Sequence, residues 1–434
     1  MRNIVRSITA SVLVCASSTA LAQDAAIPSQ LTLADAVRIA TERNPALETA
    51  RNAVEIAEAN RLDVSRRPNP ALTFESEGYP LLESSRPAFF NNQELTVRFD
   101  QEIELAGRRR LRTEAGDLSV EAARARFDND RRLLTLQVQR AYFQAVLAKA
   151  DRDVANVSLG EIDRALTLNR ARFEKGEASG GEVRRLQVER LRFVDDVFAA
   201  ELALRNARSA LLTLLNVADL GQTFDVVEPL DISTPTTPVL APVVNVALNL
   251  GGSPLIAQAI TRRPDVAATQ RELARTETET RLQRALRTPN VTVGGGYRRD
   301  FGTNAVVFGA TVPLPLFNHN QGGVARAEAE RRQATNLALV TESAVKLEVQ
   351  QALNAVAINR ERVEYIQREH LTNARESRDI VEASYRLGAA DLIDFLDAQR
   401  AFRDTLRTYN RALYEQRVSL FELAAAAALP APQQ

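Results

Sequence analysis

Glu94-Leu95-Thr96-Val97-Arg98-Phe99-Asp100-Gln101-Glu102-Ile103-Glu104-Leu105-Ala106-Gly107-Arg108-Arg109 changes its period part-way along. Leu95, Val97, Phe99, Ile103 and Leu105 alternate with Thr96, Arg98, Asp100, Glu102 and Glu104, the two-residue period of a strand with unlike faces. Past Ala106-Gly107 the alternation stops, and no proline occurs before the Lys175-Gly176 turn. An unbroken helix over that span is roughly 100 Å long at 1.5 Å per residue. A strand feeding so long a helix points to a mainly α chain with a β portion at one end.

Upstream, Leu72-Thr73-Phe74-Glu75-Ser76-Glu77 alternates in the same way. The expected strands are about 71–79 and 94–105, with a second pair at about 290–301 and 304–316 around Gly294-Gly295-Gly296. About ten residues is the length of a tilted strand crossing a bilayer. One face would meet lipid; the other, with Glu75, Glu77, Arg98, Asp100 and Glu102, would meet water. A hairpin half-buried on a soluble domain gives the same period, so alternation alone leaves both readings open.

The second strand pair belongs to a duplication. Pro45 and Pro70 recur as Pro264 and Pro289 at an offset of 219, and Ala171-Arg172-Phe173-Glu174-Lys175-Gly176 recurs as Ala383-Ser384-Tyr385-Arg386-Leu387-Gly388 at an offset of 212. The expected organisation is a leader at 1–22, a first unit at 23–228, a linker at 229–252 and a second unit at 253–434. In each unit a short helix ends before an X-Pro corner; Asn44-Pro45 reads as an N-cap with a first-turn proline. The next helix runs to Arg66, where Pro68 and Pro70 stop it. Returning helices follow the long ones, from Gly181 to about Asn216 and from Asp391 to Ala428, with the second long helix at about Asn320 to Arg386. Leu186, Phe193, Ala200, Ala207 and Leu214 recur every seven residues, as do Phe395, Phe402 and Tyr409. Such heptads pack helices along their length.

The N-terminus gives a compartment. Arg2 and Arg6 precede a short apolar run, and Ala20-Leu21-Ala22 is an A-x-A cleavage site, so a secretory signal peptide ends at Ala22. A lipoprotein signal on Cys15 is disfavoured by the branched Val14 before it. Cleavage removes the only Cys and the only Met, which excludes disulfides and thiolate metal sites from the mature chain. The 55 Lys+Arg balance the 55 Asp+Glu, so there is no basic excess for nucleic acid. No run of 18 apolar residues follows the leader, so any membrane span must be made of strands. Four strands cannot close a barrel, and an open edge in hydrocarbon costs several kcal/mol per unpaired group. Several chains are therefore required; three would supply twelve strands and six helical units.

With that order of elements the chain resembles the TolC-like outer-membrane efflux proteins over nearly all of its mature length. Gln101-Glu102-Ile103-Glu104-Leu105-Ala106-Gly107-Arg108-Arg109 is similar to the Q-x-I-E-L-G-G-K-R stretch of the heavy-metal (CzcC-like) branch. Here Ala106 stands in place of the first Gly and Arg108 in place of Lys. Pro68-Asn69-Pro70-Ala71-Leu72 and Val312-Pro313-Leu314-Pro315-Leu316-Phe317-Asn318 also resemble that branch. The resemblance implies a homotrimer with a twelve-stranded barrel in the outer membrane and an α-helical tunnel in the periplasm. It implies as partners outer-membrane lipid, a periplasmic adaptor and an inner-membrane pump of the resistance-nodulation-division type, and it implies neither an enzyme nor a cofactor.

The resemblance also implies a periplasmic gate. Tyr385-Arg386-Leu387-Gly388-Ala389-Ala390-Asp391-Leu392-Ile393-Asp394-Phe395-Leu396-Asp397-Ala398 matches the founding channel's tip motif, and puts Asp394, Asp397 and Tyr385 at the pore. Gly176 and Gly388 would be the two hairpin-tip turns. Three copies would bring six carboxylates into a narrow pore and attract cations. Locally, the same residues read as an N-cap, Asp391, with Asp394 in the first turn. Ala390 replaces the founding channel's gate-stabilising Arg, and Glu182 and Arg185 occupy the first unit's equivalent positions.

Other chemistries lack residues. His319 and His370 are the only histidines and have no ligand spacing between them, and no Lys-Ser/Thr follows the glycine run to make a phosphate loop. The expected function is a passive exit duct for toxic cations, above all divalent heavy metals. The alternatives are a duct for drugs, solvents or secreted polypeptides, and a soluble periplasmic coiled-coil adaptor or scaffold.

Overall fold

The computed structural model describes residues 27–78, 94–231, 252–300 and 302–429. The expected leader, most of the 229–252 linker, Tyr79 and Phe301 lie outside those residues. The first half runs β1 (Gln30–Leu31), α1 (Leu33–Arg43), α2 (Pro45–Val64), β2 (Ala71–Glu77), β3 (Glu94–Ile103), α3 (Arg108–Glu174), α4 (Gly180–Leu214) and β4 (Asp225–Val226). The second runs α5 (Gly252–Arg262), α6 (Pro264–Ala285), β5 (Val291–Asp300), β6 (Thr303–Thr311), α7 (Gln321–Tyr365), a π-helical turn (Ile366–Leu371), α8 (Thr372–Arg386) and α9 (Leu392–Ala426). The expected 304–316 strand stops at Thr311, because Pro313 and Pro315 have no N–H to continue a ladder.

The backbone repeats wherever the chain must change direction. The long helices α3 and α7 both start from a left-handed residue, Gly107 at φ 68° and Asn320 at φ 61°. Both tip turns place glycine at φ 78°, Gly176 and Gly388, and both returning helices are followed by a left-handed residue, Asn216 and Ala428. At the X-Pro corners different side chains do one job. Asn44 caps α2 and its Nδ2 donates to the Leu214 carbonyl at 2.9 Å, while Arg263 donates to the Ala426 carbonyl at 3.2 Å. Each corner is thereby fixed to the last turn of the returning helix. Arg263 is buried and also pairs with Asp265 and Glu348, both at 2.7 Å.

The core is distributed along the helices. One cluster, with Tyr142, Phe143, Leu211 and Phe421, joins both halves at mid-length. There the short parallel pair β1–β4 is held by the Tyr142 hydroxyl, which donates to the Leu31 carbonyl and accepts from the Val227 amide. A second cluster, with Leu186, Phe193, Tyr385, Phe395 and Leu396, packs the two hairpin tips together. Of the expected heptad positions, Leu186, Phe193, Ala200, Ala207 and Phe395 are buried, whereas Leu214, Phe402 and Tyr409 are half-buried. The four longer strands form an antiparallel sheet in the order β2-β3-β5-β6, at the opposite end from the tips.

Candidate functional site

The sheet is two-faced. Registers Glu75↔Thr96, Thr73↔Arg98 and Glu77↔Glu94 put Glu75, Glu77, Arg98, Asp100 and Glu102 on one side. The other side carries Leu72, Phe74, Phe99, Val306 and Phe308, with Leu72 73% and Phe308 86% exposed. Burying such side chains contributes about 1.5–3 kcal/mol each, so an uncovered face of this kind requires an apolar neighbour. The charged side is largely self-paired: Arg98 with Asp100 at 2.9 Å, Arg298 with Glu94 at 2.7 Å, and Glu102 accepting from Asn290 at 2.5 Å.

The glycine run serves that charged side. A Cβ on Gly294 would run into the Asp100 carboxylate, and one on Gly296 into Arg98 and the Val97 carbonyl. The Arg98 guanidinium ends 3.5 Å from the equivalent point on Gly309. The Arg98–Asp100 pair thus lies flat on a glycine floor. The diagonal crossing of Arg98 over these glycines is a tertiary arrangement that local sequence does not display. Strands β2 and β6 are the sheet's two edges, and each has one side without a partner among the described residues.

At the far end, Asp391 caps α9 by accepting from the Asp394 amide at 2.9 Å, the local role read from the sequence. Asp394 and Asp397 are exposed and share a helix face. Asp397 pairs with Arg400 at 3.0 Å; Arg400 also pairs at 2.6 Å with Glu189 of α4, which is only 6% exposed. Farther along, Arg403 of α9 pairs with Asp196 of α4 at 2.6 Å.

Tyr385 departs from expectation. It is 5% exposed and stacks on Phe395 with ring centroids 4.8 Å apart, so it belongs to the tip core and not to a pore surface. Further copies could only bury it more. Burial pushes its phenol above the ordinary tyrosine range, and its hydroxyl accepts from Asn169 Nδ2 of α3. Arg172, also on α3, donates to the Tyr385 and Arg386 carbonyls at 3.2 and 2.6 Å and so closes the C-terminus of α8. Asn169 and Arg172 were not singled out in the sequence, because their partners lie more than 200 residues away.

His319 is exposed ahead of α7, whereas His370 lies in the π-helical turn against Tyr365. Among the described residues no group of His, Cys, Asp or Glu has the arrangement to hold a metal, and no helix is long and apolar enough to cross a membrane.

The outer membrane efflux protein pattern matches residues 36–217 and again 255–429, one match per half. The chain belongs to the outer membrane efflux protein family. This efflux protein is 26% identical over 372 residues to the cobalt-zinc-cadmium resistance protein CzcC of Cupriavidus metallidurans, spanning 85% of this chain and 83% of that one. It is 25% identical to the pyoverdine export outer membrane protein OpmQ of Pseudomonas putida, over 76% of this chain and 67% of the relative. Its fold superposes on CusC with a TM-score of 0.75 at 19% identity, covering 91% of both chains. On the open state of the Neisseria gonorrhoeae outer-membrane channel MtrE the TM-score is 0.74 at 21% identity, over 91% of this chain and 88% of that one. The chain is thus an outer-membrane efflux channel protein and not an enzyme.

Proposed function

We propose that three copies close one twelve-stranded barrel through β2–β6 contacts and stack their helices into a periplasmic tunnel. The chain would reach that site after cleavage of its leader behind Ala22. The observation that carries this reading is the two-faced sheet with both edges open, mounted on a helix of roughly 100 Å. Closure pairs the edges, turns Leu72, Phe74, Val306 and Phe308 to lipid, and encloses Glu75, Glu77, Arg98, Asp100 and Glu102 around water. At the other end Asp394 and Asp397 from three chains form an anionic ring, with Gly176 and Gly388 at the turns offered to an adaptor. The duct is passive, and an inner-membrane pump of the resistance-nodulation-division type, reached through a periplasmic adaptor, drives the cargo.

The cargo is proposed to be divalent heavy-metal cations. Two findings support this: the similarity to CzcC along most of both chains, and the exposed carboxylates Asp394 and Asp397. The similarity to OpmQ favours a second reading, a duct for organic molecules. A strain lacking the gene separates them when grown on cobalt, zinc, cadmium, nickel and copper salts beside dyes, detergents and antibiotics. Sensitivity confined to the metals is expected; sensitivity to dyes and antibiotics alone would transfer the assignment to the second reading. A soluble scaffold, the reading of another class, would leave cells without detergent.

A further inference from the structure

At the sheet end of the helices, α2 and α3 border an open groove of about 790 Å³ lined by Arg61, Ser65, Arg109, Arg110, Glu114, Asp117 and Glu121, among others. Its charges do not balance locally. Asp117 is taken by Arg61 at 2.7 Å, Glu121 by Arg271 at 3.0 Å, and Glu114 by Arg281. Every lining carboxylate therefore already has its own guanidinium. Arg109 donates only to the Ser65 carbonyl, at 2.7 Å, and Arg110 has no partner among the described residues. Arg66 and Arg67 follow Ser65 directly, are exposed, and have no carboxylate partner among the described residues. Arg110 thus lines the groove without a partner carboxylate among the described residues, beside Arg109, and Arg66 and Arg67 follow the lining residue Ser65 in sequence.

Their place in the wall decides what they could bind. Arg112 pairs with Glu104, which continues the charged alternation of β3. Arg110 lies two residues earlier, about 200° around the helix at 100° per residue. It therefore lies on the side of α3 away from Glu104, and the apolar residues of β3 alternate away from the side of Glu102 and Glu104 as well. Between groove and apolar face stand only short connections: α2 ends at Val64 and β2 begins at Ala71, and β3 ends at Ile103 before α3 begins at Arg108.

We propose that this groove binds the phosphodiester headgroup of an anionic phospholipid in the periplasmic leaflet, with Arg110, Arg109, Arg66 and Arg67 as donors. Guanidinium forks match phosphate oxygens in pairs, and a lipid whose acyl chains lie on the apolar sheet face presents its phosphate at this height. The second half has Gln321, Gly322 and Gly323 at the start of α7 where the first has Arg108, Arg109 and Arg110, so each chain carries one such site.

The inference rests on the sheet being the membrane-spanning part. The test uses the full mature protein extracted in detergent and supplemented with phosphatidylglycerol, with phosphatidylcholine, or with inorganic phosphate. Phosphatidylglycerol is expected to raise the unfolding temperature of the wild type by about 2 °C or more over phosphatidylcholine, and increasing salt should erase the difference. R66Q/R67Q/R110Q, which breaks no contact seen in the structure, should keep its helicity and lose the difference. Two results would overturn the proposal: no preference in the wild type, or one that survives in the triple variant. An equal shift with inorganic phosphate would also overturn it, because the site would then read a free anion and not a lipid. A chain that leaves cells without detergent would sink the membrane reading as well, whereas a detergent-requiring chain without lipid preference sinks this inference alone.

Discussion

Single residues show where the chain departs from its relatives and what that costs. Ala106 holds φ 56°, a left-handed backbone that crowds its Cβ, at the position where the resembling motif has glycine. Ala106→Gly should therefore stabilise the protein by about 0.5–1 kcal/mol, read as a higher denaturation midpoint; an unchanged or lower midpoint would contradict that strain. At the tip, Tyr385→Phe removes the hydroxyl that Asn169 meets and should cost about 1 kcal/mol. Because that bond joins the two hairpins, the variant should show larger or more frequent conductance steps in planar bilayers, and unchanged steps would separate it from gating. Asp394 was legible in the sequence as a helix-start residue, since capping is local. The burial of Tyr385 was not, because the Phe395 that stacks on it follows a turn and the Asn169 that meets it comes from the other half.

Elements were more legible than side chains, since period and punctuation are written locally. The long helix after Gly107, the Asn44-Pro45 corner and the heptads of α4 all follow from propensity and spacing. The last strand was read too long, because Val312-Pro313-Leu314-Pro315-Leu316 keeps an apolar alternation whose prolines cannot pair. The π-helical turn at Ile366–Leu371 was also missed, since nothing in its composition distinguishes it from α-helix. Such a turn absorbs one extra residue without rotating the helix beyond it. Deleting Glu369 should accordingly leave Tyr385 facing Asn169 and the protein folded. Deleting Gly160 from the regular helix α3 should turn Asn169 and Arg172 by about 100° and destabilise the tip. Equal losses of unfolding temperature in the two deletions would contradict this account of the turn.

For the molecule as a whole, the sequence implied more than one chain, because four strands leave two edges that hydrocarbon does not tolerate. The structure adds that the large exposed apolar groups of the sheet lie on one face and that most of its charges cluster on the other, Arg299, which stands opposite Leu95, being an exception. The central claim is that the edges β2 and β6 find each other in three copies. It is tested most directly by measuring the mass of the protein extracted from the outer membrane in mild detergent. Three chains per particle, with a cysteine pair placed on β2 and β6 cross-linking chains into trimers, is the predicted result. A monomer or dimer recovered without detergent would contradict it.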